Sequence, residues 1–220
     1  MFVSIQPHQI AAHRDLLRAT FRLRKRVFAD QLNWEVPVIG DEERDEYDEL
    51  GASYLVWCSE DHRTVYGLLR LMPTTGPTLL HDVFHATHGN SAALVRADVW
   101  EGTRMCIDEA ALRRDMPEID GAKAFSILFL ALCEMALGLG VRRMVSNYEL
   151  AMSRIYRRAG LECEVHGHAD GYGLRPVYCA SFEVSPEILA GLRARHKIGG
   201  PLLVEAPLRV VAEPAEGLAA

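Results

Sequence analysis

The chain has 220 residues, 49% of them hydrophobic, which suits one substantial core and is short for two. A formal net charge of −6 argues against a general nucleic-acid binder. No apolar run reaches the ~18 residues needed to span a bilayer, and no basic-then-apolar signal opens the chain, so no membrane partner is expected.

Pro7 is placed to open a helix running to about Ala29, with Leu17, Phe21, Arg24 and Phe28 on one face. Three of these are core residues by type. The fourth is a guanidinium with five donors to satisfy, so inward carboxylates are expected, and the acid-rich run from Asp41 offers them. With Phe28 and Trp34, such a pocket suits a small zwitterion or cation. The loop through Gly51 is long for a compact domain, which points to function, and Asp48 on it is expected to lie outside the core.

Strands are predicted over 53–58 and 64–72, joined by the turn 60–63, and over 99–107. The second carries Arg70 among leucines. The third carries Glu101 and Arg104, which alternation would point to opposite faces. If both serve one site, a bulge is expected, with Gly102 the residue to tolerate it; the alternative is an edge-strand ion pair. Arg24, Arg70 and Arg104, set against Asp45, Asp48 and Glu101, read as a charged network lining a cleft, because desolvating so many charges is costly.

A helix follows over 121–140, then a strand over 141–148, a helix over 150–159, a strand over 176–184 and a helix begun by Ser185-Pro186-Glu187. The order predicts one mixed α/β domain, residues 1–198, with helices on both faces of a sheet. Residues 199–220 read as a loose extension. Arg154 and Arg157 belong to an arginine-rich run that is either a solvated face or a dock for an acidic partner. The five cysteines show no CxxC and suit a reduced, cytoplasmic protein, four of them as buried small hydrophobes. The nine histidines show no convincing metal spacing, so no metal is expected. No GxSxG, P-loop or GxGxxG motif is present.

FRLRKRVF, the tryptophan of NW, the acids of ERDEYD, the arginine of GLLRLMPT, and EGTR together resemble the LuxI-type acyl-homoserine lactone synthases. The likeness runs from about Phe21 to Phe182. Longer phrases such as RLMPTTGPTLL, GTRMCIDE and ADGYG resemble the rhizobial long-chain, CinI-like branch. The resemblance implies a fold like the GNAT N-acetyltransferases and a two-step reaction. The α-amine of S-adenosylmethionine attacks an acyl thioester on acyl carrier protein or coenzyme A. The substrate's carboxylate then displaces methylthioadenosine and closes the lactone. S-Adenosylmethionine is thus a substrate, and no cofactor is implied. The family's functional positions fall on Arg24, Phe28, Trp34, Asp45, Asp48, Arg70, Phe84, Glu101 and Arg104. Glu101 and Arg104 are the expected catalytic pair, and the others up to Arg70 bind S-adenosylmethionine. A long acyl chain is expected between the strands of Met105 and Val145, bordered by Phe84, Leu128 and Ser146. Arg154 and Arg157 would then dock an acidic carrier. The competing readings are an N-acyltransferase that uses acyl-CoA and another amine, whose phosphate loop RRDMPEIDGAKA fits poorly, and a non-catalytic sensor domain.

Overall fold

The computed structural model describes residues 1–89 and 92–204. Its frame is a seven-stranded sheet. In chain order the named elements begin with β1 (Phe2–Ile5), α1 (Arg14–Arg24), β2 (Val38–Ile39), β3 (Glu42–Glu43), β4 (Ser53–Cys58), β5 (Val65–Pro73) and α2 (Leu79–Asp82). They continue with β6 (Val99–Ile107), α3 (Glu109–Asp115), α4 (Gly121–Gly138), β7 (Arg143–Glu149), α5 (Ala151–Ala159), β8 (Glu164–Ala169), β9 (Val177–Glu183) and α6 (Pro186–His196). The strands lie in the order β1-β4-β5-β6-β7-β9-β8, and β2 and β3 form a separate hairpin. Pairing is antiparallel except between β6 and β7, which makes the sheet mixed as expected.

Alternation along β5 sorts the core into two layers. Leu69 and Leu71 face the cluster built on α4, while Leu68 and Met72 face the cluster built on α1. Arg70, between the latter two, therefore points under α1. Helix α4 is long and apolar enough to cross a bilayer by length and composition, but most of it is buried against the sheet and α5, so it serves as the core helix.

Several predicted elements change form. The first helix is not continuous: Pro7 opens a 3-10 turn (Pro7–Gln9), where Gln6 and Gln9 cap each other, and α1 starts only at Arg14. After Arg24 the helix widens into a π-helical segment, Lys25–Gln31. The predicted stripe survives, with Leu17, Phe21, Arg24 and Phe28 all buried. The long loop carries the β2–β3 hairpin, turned at Gly40 with φ +63°, and a 3-10 turn at Glu46–Asp48. Strands β1 and β8 were not predicted. The start of the expected extension is docked, since Leu203 is buried and bridges to Phe2, and Glu134 accepts the Leu202 and Leu203 amides. The rest of it, 205–220, lies outside the described residues. Cys58, Cys106, Cys133 and Cys179 are buried and unpaired, as their apolar settings suggested.

Candidate active site

The hairpin and the 3-10 turn deliver three carboxylates beneath α1. Extended backbone puts Glu43 and Asp45 on one side, and the following turn swings Asp48 in beside them. Arg24, on the buried stripe of α1, donates through Nε to Glu43 at 2.5 Å. Its Nη1 and Nη2 grip Asp48 at 2.7 and 2.9 Å. Arg70 donates to Thr103 at 3.0 Å, to both oxygens of Asp45, and to Asp48 at 3.0 Å. Tyr54 donates a further bond of 2.7 Å to Asp48. Burial alone would push the Asp48 carboxyl up, but the Arg24 bonds and the charges of Arg24 and Arg70 hold it well below the usual range.

Arg104 completes the network by breaking the rhythm of β6. The β5–β6 register slips between Leu68↔Cys106 and Arg70↔Thr103, so Arg104 and Met105 stand opposite Leu69 alone. Arg104 takes φ +55°, a left-handed conformation that costs a non-glycine residue energy. The expected bulge is therefore present, but at Arg104 rather than Gly102. It turns the Arg104 side chain to the α1 face, where Nε meets Glu43 at 3.1 Å and Nη2 meets Asp45 at 2.9 Å. Three guanidinium groups and three carboxylates thus neutralise one another.

Glu43 was not among the expected site residues, although it stands in the acid run. Its signal was the two-residue spacing to Asp45. Asp48 corrects the reading in the other direction: it is buried with its ion pairs and belongs to the core. Arg24 and Arg70 are fully buried with their donors engaged, so they sit beneath the site instead of lining it. Arg104 is the guanidinium that reaches the surface, its side chain 12% exposed, and among the described residues its Nη1 makes no hydrogen bond. Above it lies an aromatic rim. The Arg104 guanidinium is 5.7 Å from the Phe28 ring centroid, and Trp34, 40% exposed, stacks on Phe28 at 5.1 Å.

Glu101 is not a member of this network, contrary to its expected pairing with the arginines. It shares the α1 face but lies farther along β6, fully buried, opposite Met72 and Val145. Asn147 Nδ2 approaches its Oε1 at 3.5 Å, and among the described residues Oε2 has no partner at full hydrogen-bond geometry. Burial pushes this carboxyl up to about 7; the Leu80 amide, the Arg70 charge, Asn147 and the Leu79 amide offset only part of that rise. A carboxyl poised there can take or give a proton near neutrality.

The five residues expected around an acyl chain do not share one wall. Leu128 and, in part, Met105 pack in the α4 layer, and Ser146 meets Tyr156 of that layer at 3.4 Å. Val145 lies on the opposite face with Leu80 and Cys179, and Phe84 packs toward the α1 layer and against Tyr172. The strands that carry Met105 and Ser146 do part beyond Val145. Pairing of β6 with β7 ends at Glu101↔Val145, although both strands run on. On α5, Arg154, Arg157 and Arg158 are exposed, and none has a carboxylate within 4 Å among the described residues.

A model of the autoinducer synthase family matches residues 8–190. An acyl-homoserine-lactone synthase of Agrobacterium fabrum is 33% identical over 159 residues, which is 72% of this chain and 74% of the relative. The structure of BjaI, a CoA-dependent acyl-homoserine lactone synthase with SAM and isopentyl-CoA, matches with a TM-score of 0.76 and 25% identity over 94% of each chain. A Lactobacillus plantarum protein classed with the N-acetyltransferases matches with a TM-score of 0.52 at 19% identity, covering 84% of this chain and 98% of its own, a likeness of fold alone.

Proposed function

The chain belongs to the autoinducer synthase family, acyltransferases that make acyl-homoserine lactones, and from that premise we propose that it acylates S-adenosylmethionine from a long-chain acyl carrier protein and then closes the lactone. One arrangement supports this reading: an aromatic pair over Arg104, with Trp34 exposed, and, farther along the same face of β6, a buried carboxyl poised near neutrality. The Arg104 Nη1 donor suits the substrate carboxylate, and the Phe28–Trp34 stack suits an adenine or a sulfonium. Arg24, Arg70, Glu43, Asp45 and Asp48 hold Arg104 in place. The substrate's ammonium gives a proton to the Glu101 carboxylate, directly or through water. The freed amine attacks the thioester carbonyl, and the carrier thiol leaves. In the second step the substrate's own carboxylate oxygen attacks its γ-carbon and expels methylthioadenosine. That step asks the protein for proximity, not for a nucleophile.

Trp34→Ala tests the rim. With Trp34 so exposed, its loss leaves thermal stability nearly unchanged but raises KM for S-adenosylmethionine about tenfold, the worth of one desolvated cation–π contact. Trp34→Phe restores most of the affinity. An unchanged KM in both variants removes Trp34 from the site.

The acyl chain fits the gap where β6 and β7 part, reached past Phe84 and Val145 and ending among Met105, Ser146 and Leu128. Two observations favour a carrier protein as donor. The exposed arginines of α5 suit an acidic partner, and the N-terminus of α4, where a pyrophosphate would otherwise find free amides, is capped by Asp120, which accepts the Lys123 amide at 2.8 Å. Coenzyme A is the alternative, favoured by its presence on BjaI. Matched acyl-carrier and acyl-CoA donors decide between them. Arg154→Glu and Arg157→Glu are expected to cut carrier-dependent kcat/KM by about tenfold at low salt, with the difference shrinking as salt screens it. A preference for acyl-CoA, with no loss in either variant, defeats the docking role. The unpaired cysteines fit a cytoplasmic location.

A further inference from the structure

The proton that Glu101 takes has to suit whatever holds its carboxylate, and a hydrogen-bond chain is built there. Asn147 on β7 directs Nδ2 toward Glu101 Oε1, and its Oδ1 lies 2.8 Å from Thr87 Oγ1. Thr87 is buried, and the same Oγ1 is 2.7 Å from the Phe84 carbonyl oxygen. Strand β8 clamps it in place: a Cβ on Gly167 would fall 2.5 Å from the Thr87 carbonyl oxygen.

A threonine hydroxyl has one proton and two acceptors within reach, so the chain has two settings. Donated to Asn147 Oδ1, the proton leaves the Asn147 NH₂ facing Glu101, which supports a carboxylate. Donated to Phe84, it leaves Oγ1 to accept from Asn147 with the amide turned over. The amide oxygen then faces Glu101, and only a protonated carboxyl can satisfy it.

We propose that Thr87 and Asn147 are positioning residues that set the proton affinity of Glu101 through a hydrogen-bond chain that reverses direction as Glu101 gains and loses its proton. The kinetic consequence rests on the base role proposed above; the effect on proton affinity does not.

The other groups around Glu101 are Arg70 from β5, Cys179 from β9 and the Leu79 and Leu80 amides of α2. Cys179 lies beside Thr87, and burial pushes its thiol up to about 12, so it stays protonated. His88 Nε2 lies 3.1 Å from the Leu80 carbonyl, and His81, with its ring edge-on to His88, is held below its ordinary value by burial. Arg70 and Cys179 keep their charge states near pH 7, and neither imidazole replaces Thr87 or Asn147 as the polar partner on the Asn147 side.

The test reads the carboxyl itself. Isotope-edited infrared spectra of the full chain, with Glu101→Gln to assign the band, give the midpoint of Glu101 ionisation. Thr87→Val keeps the shape and removes the hydroxyl. It is expected to raise that midpoint by about one pH unit, because the charge-assisted bond to the carboxylate is the stronger of the two settings and its loss weighs more. Thr87→Ser restores it, and Asn147→Leu reproduces the rise if Thr87→Val folds poorly. In kinetics, the acidic limb of kcat/KM moves up by the same amount. The rate near pH 6.5 then falls roughly five- to tenfold and converges with wild type at high pH. KM for S-adenosylmethionine stays within about twofold, which a loosened pocket would not allow. A Glu101 midpoint unmoved by both Thr87→Val and Asn147→Leu overturns the proposal. A midpoint that moves while the rate profile stays fixed upholds the chain and overturns the base role of Glu101.

Discussion

Glu101→Gln slows acyl transfer by about 10²–10⁴-fold, the usual worth of a general base, and abolishes the acidic limb of the pH–rate profile. The same substitution stabilises the fold at high pH. Burial pushes the folded carboxyl up to about 7 against an ordinary 4.5. A pKa raised on folding gives a contribution that is fully present below about 4.5 and lost as pH rises through about 7. The gap corresponds to about 3 kcal/mol. Wild type is therefore expected to lose stability over that window, while Glu101→Gln does not. Urea unfolding of both proteins at pH 5 and pH 8 measures the difference. Parallel curves at the two pH values would show that Glu101 stays ionised in the fold and is no proton acceptor near neutrality.

Asp48→Asn is expected to unfold the site, because Asp48 is buried and paired and not on a peripheral loop. Asp48 accepts both terminal nitrogens of Arg24, one from Arg70 and the Tyr54 hydroxyl. Removing one charge from a buried, paired set costs about 3–5 kcal/mol, because the remaining charges stay buried without compensation. That is a large share of the roughly 5–15 kcal/mol that holds a domain together. Product formation should be lost with stability rather than independently of it. The pH sign is opposite to that of Glu101. A carboxyl whose pKa falls on folding contributes above its unfolded value, 3.8, and the contribution is lost as pH falls below it. The wild type's acid-side loss should thus be smaller in Asp48→Asn. A variant with the wild-type urea midpoint and no activity would instead make Asp48 a direct substrate contact.

The strands at Ser53–Cys58 and Val65–Pro73 were legible because largely apolar runs were joined by turn residues, and α4 because its apolar residues recur at helical spacing. Strand β1 is four residues long with no turn signal. β8, reading EVHGHA, is polar and half-exposed, with its glycine required by the approach of Thr87 and not by any local turn. The charged positions of the site were legible as residues, since an arginine on an apolar stripe must find partners. Their partners were not. Which acid faces which arginine depends on the Gly40 turn and on where β6 bulges, and both are tertiary outcomes. A glycine is the cheapest place for a bulge, yet it fell at Arg104, because two buried carboxylates waited on the α1 face. The π-helical widening after Arg24 has no sequence signature either; its effect is to place Phe28 beneath Trp34 and beside Arg104.

The closed neutrality of Arg24, Arg70, Arg104, Glu43, Asp45 and Asp48 carries a consequence for how such a chain can diverge. Each of these residues shares at least one partner with another, so the effects of substituting any two are not additive. A first change strands a buried charge, and a second is tolerated only if it cancels that particular excess. The six positions are therefore expected to tolerate change only in compensating sets, while the lining of the strand gap and the arginines of α5, which share no hydrogen-bond partner with them among the described residues, can change singly. On the proposed function, acyl-chain and donor preference could therefore be altered one substitution at a time with the charged network beneath the amine site left intact.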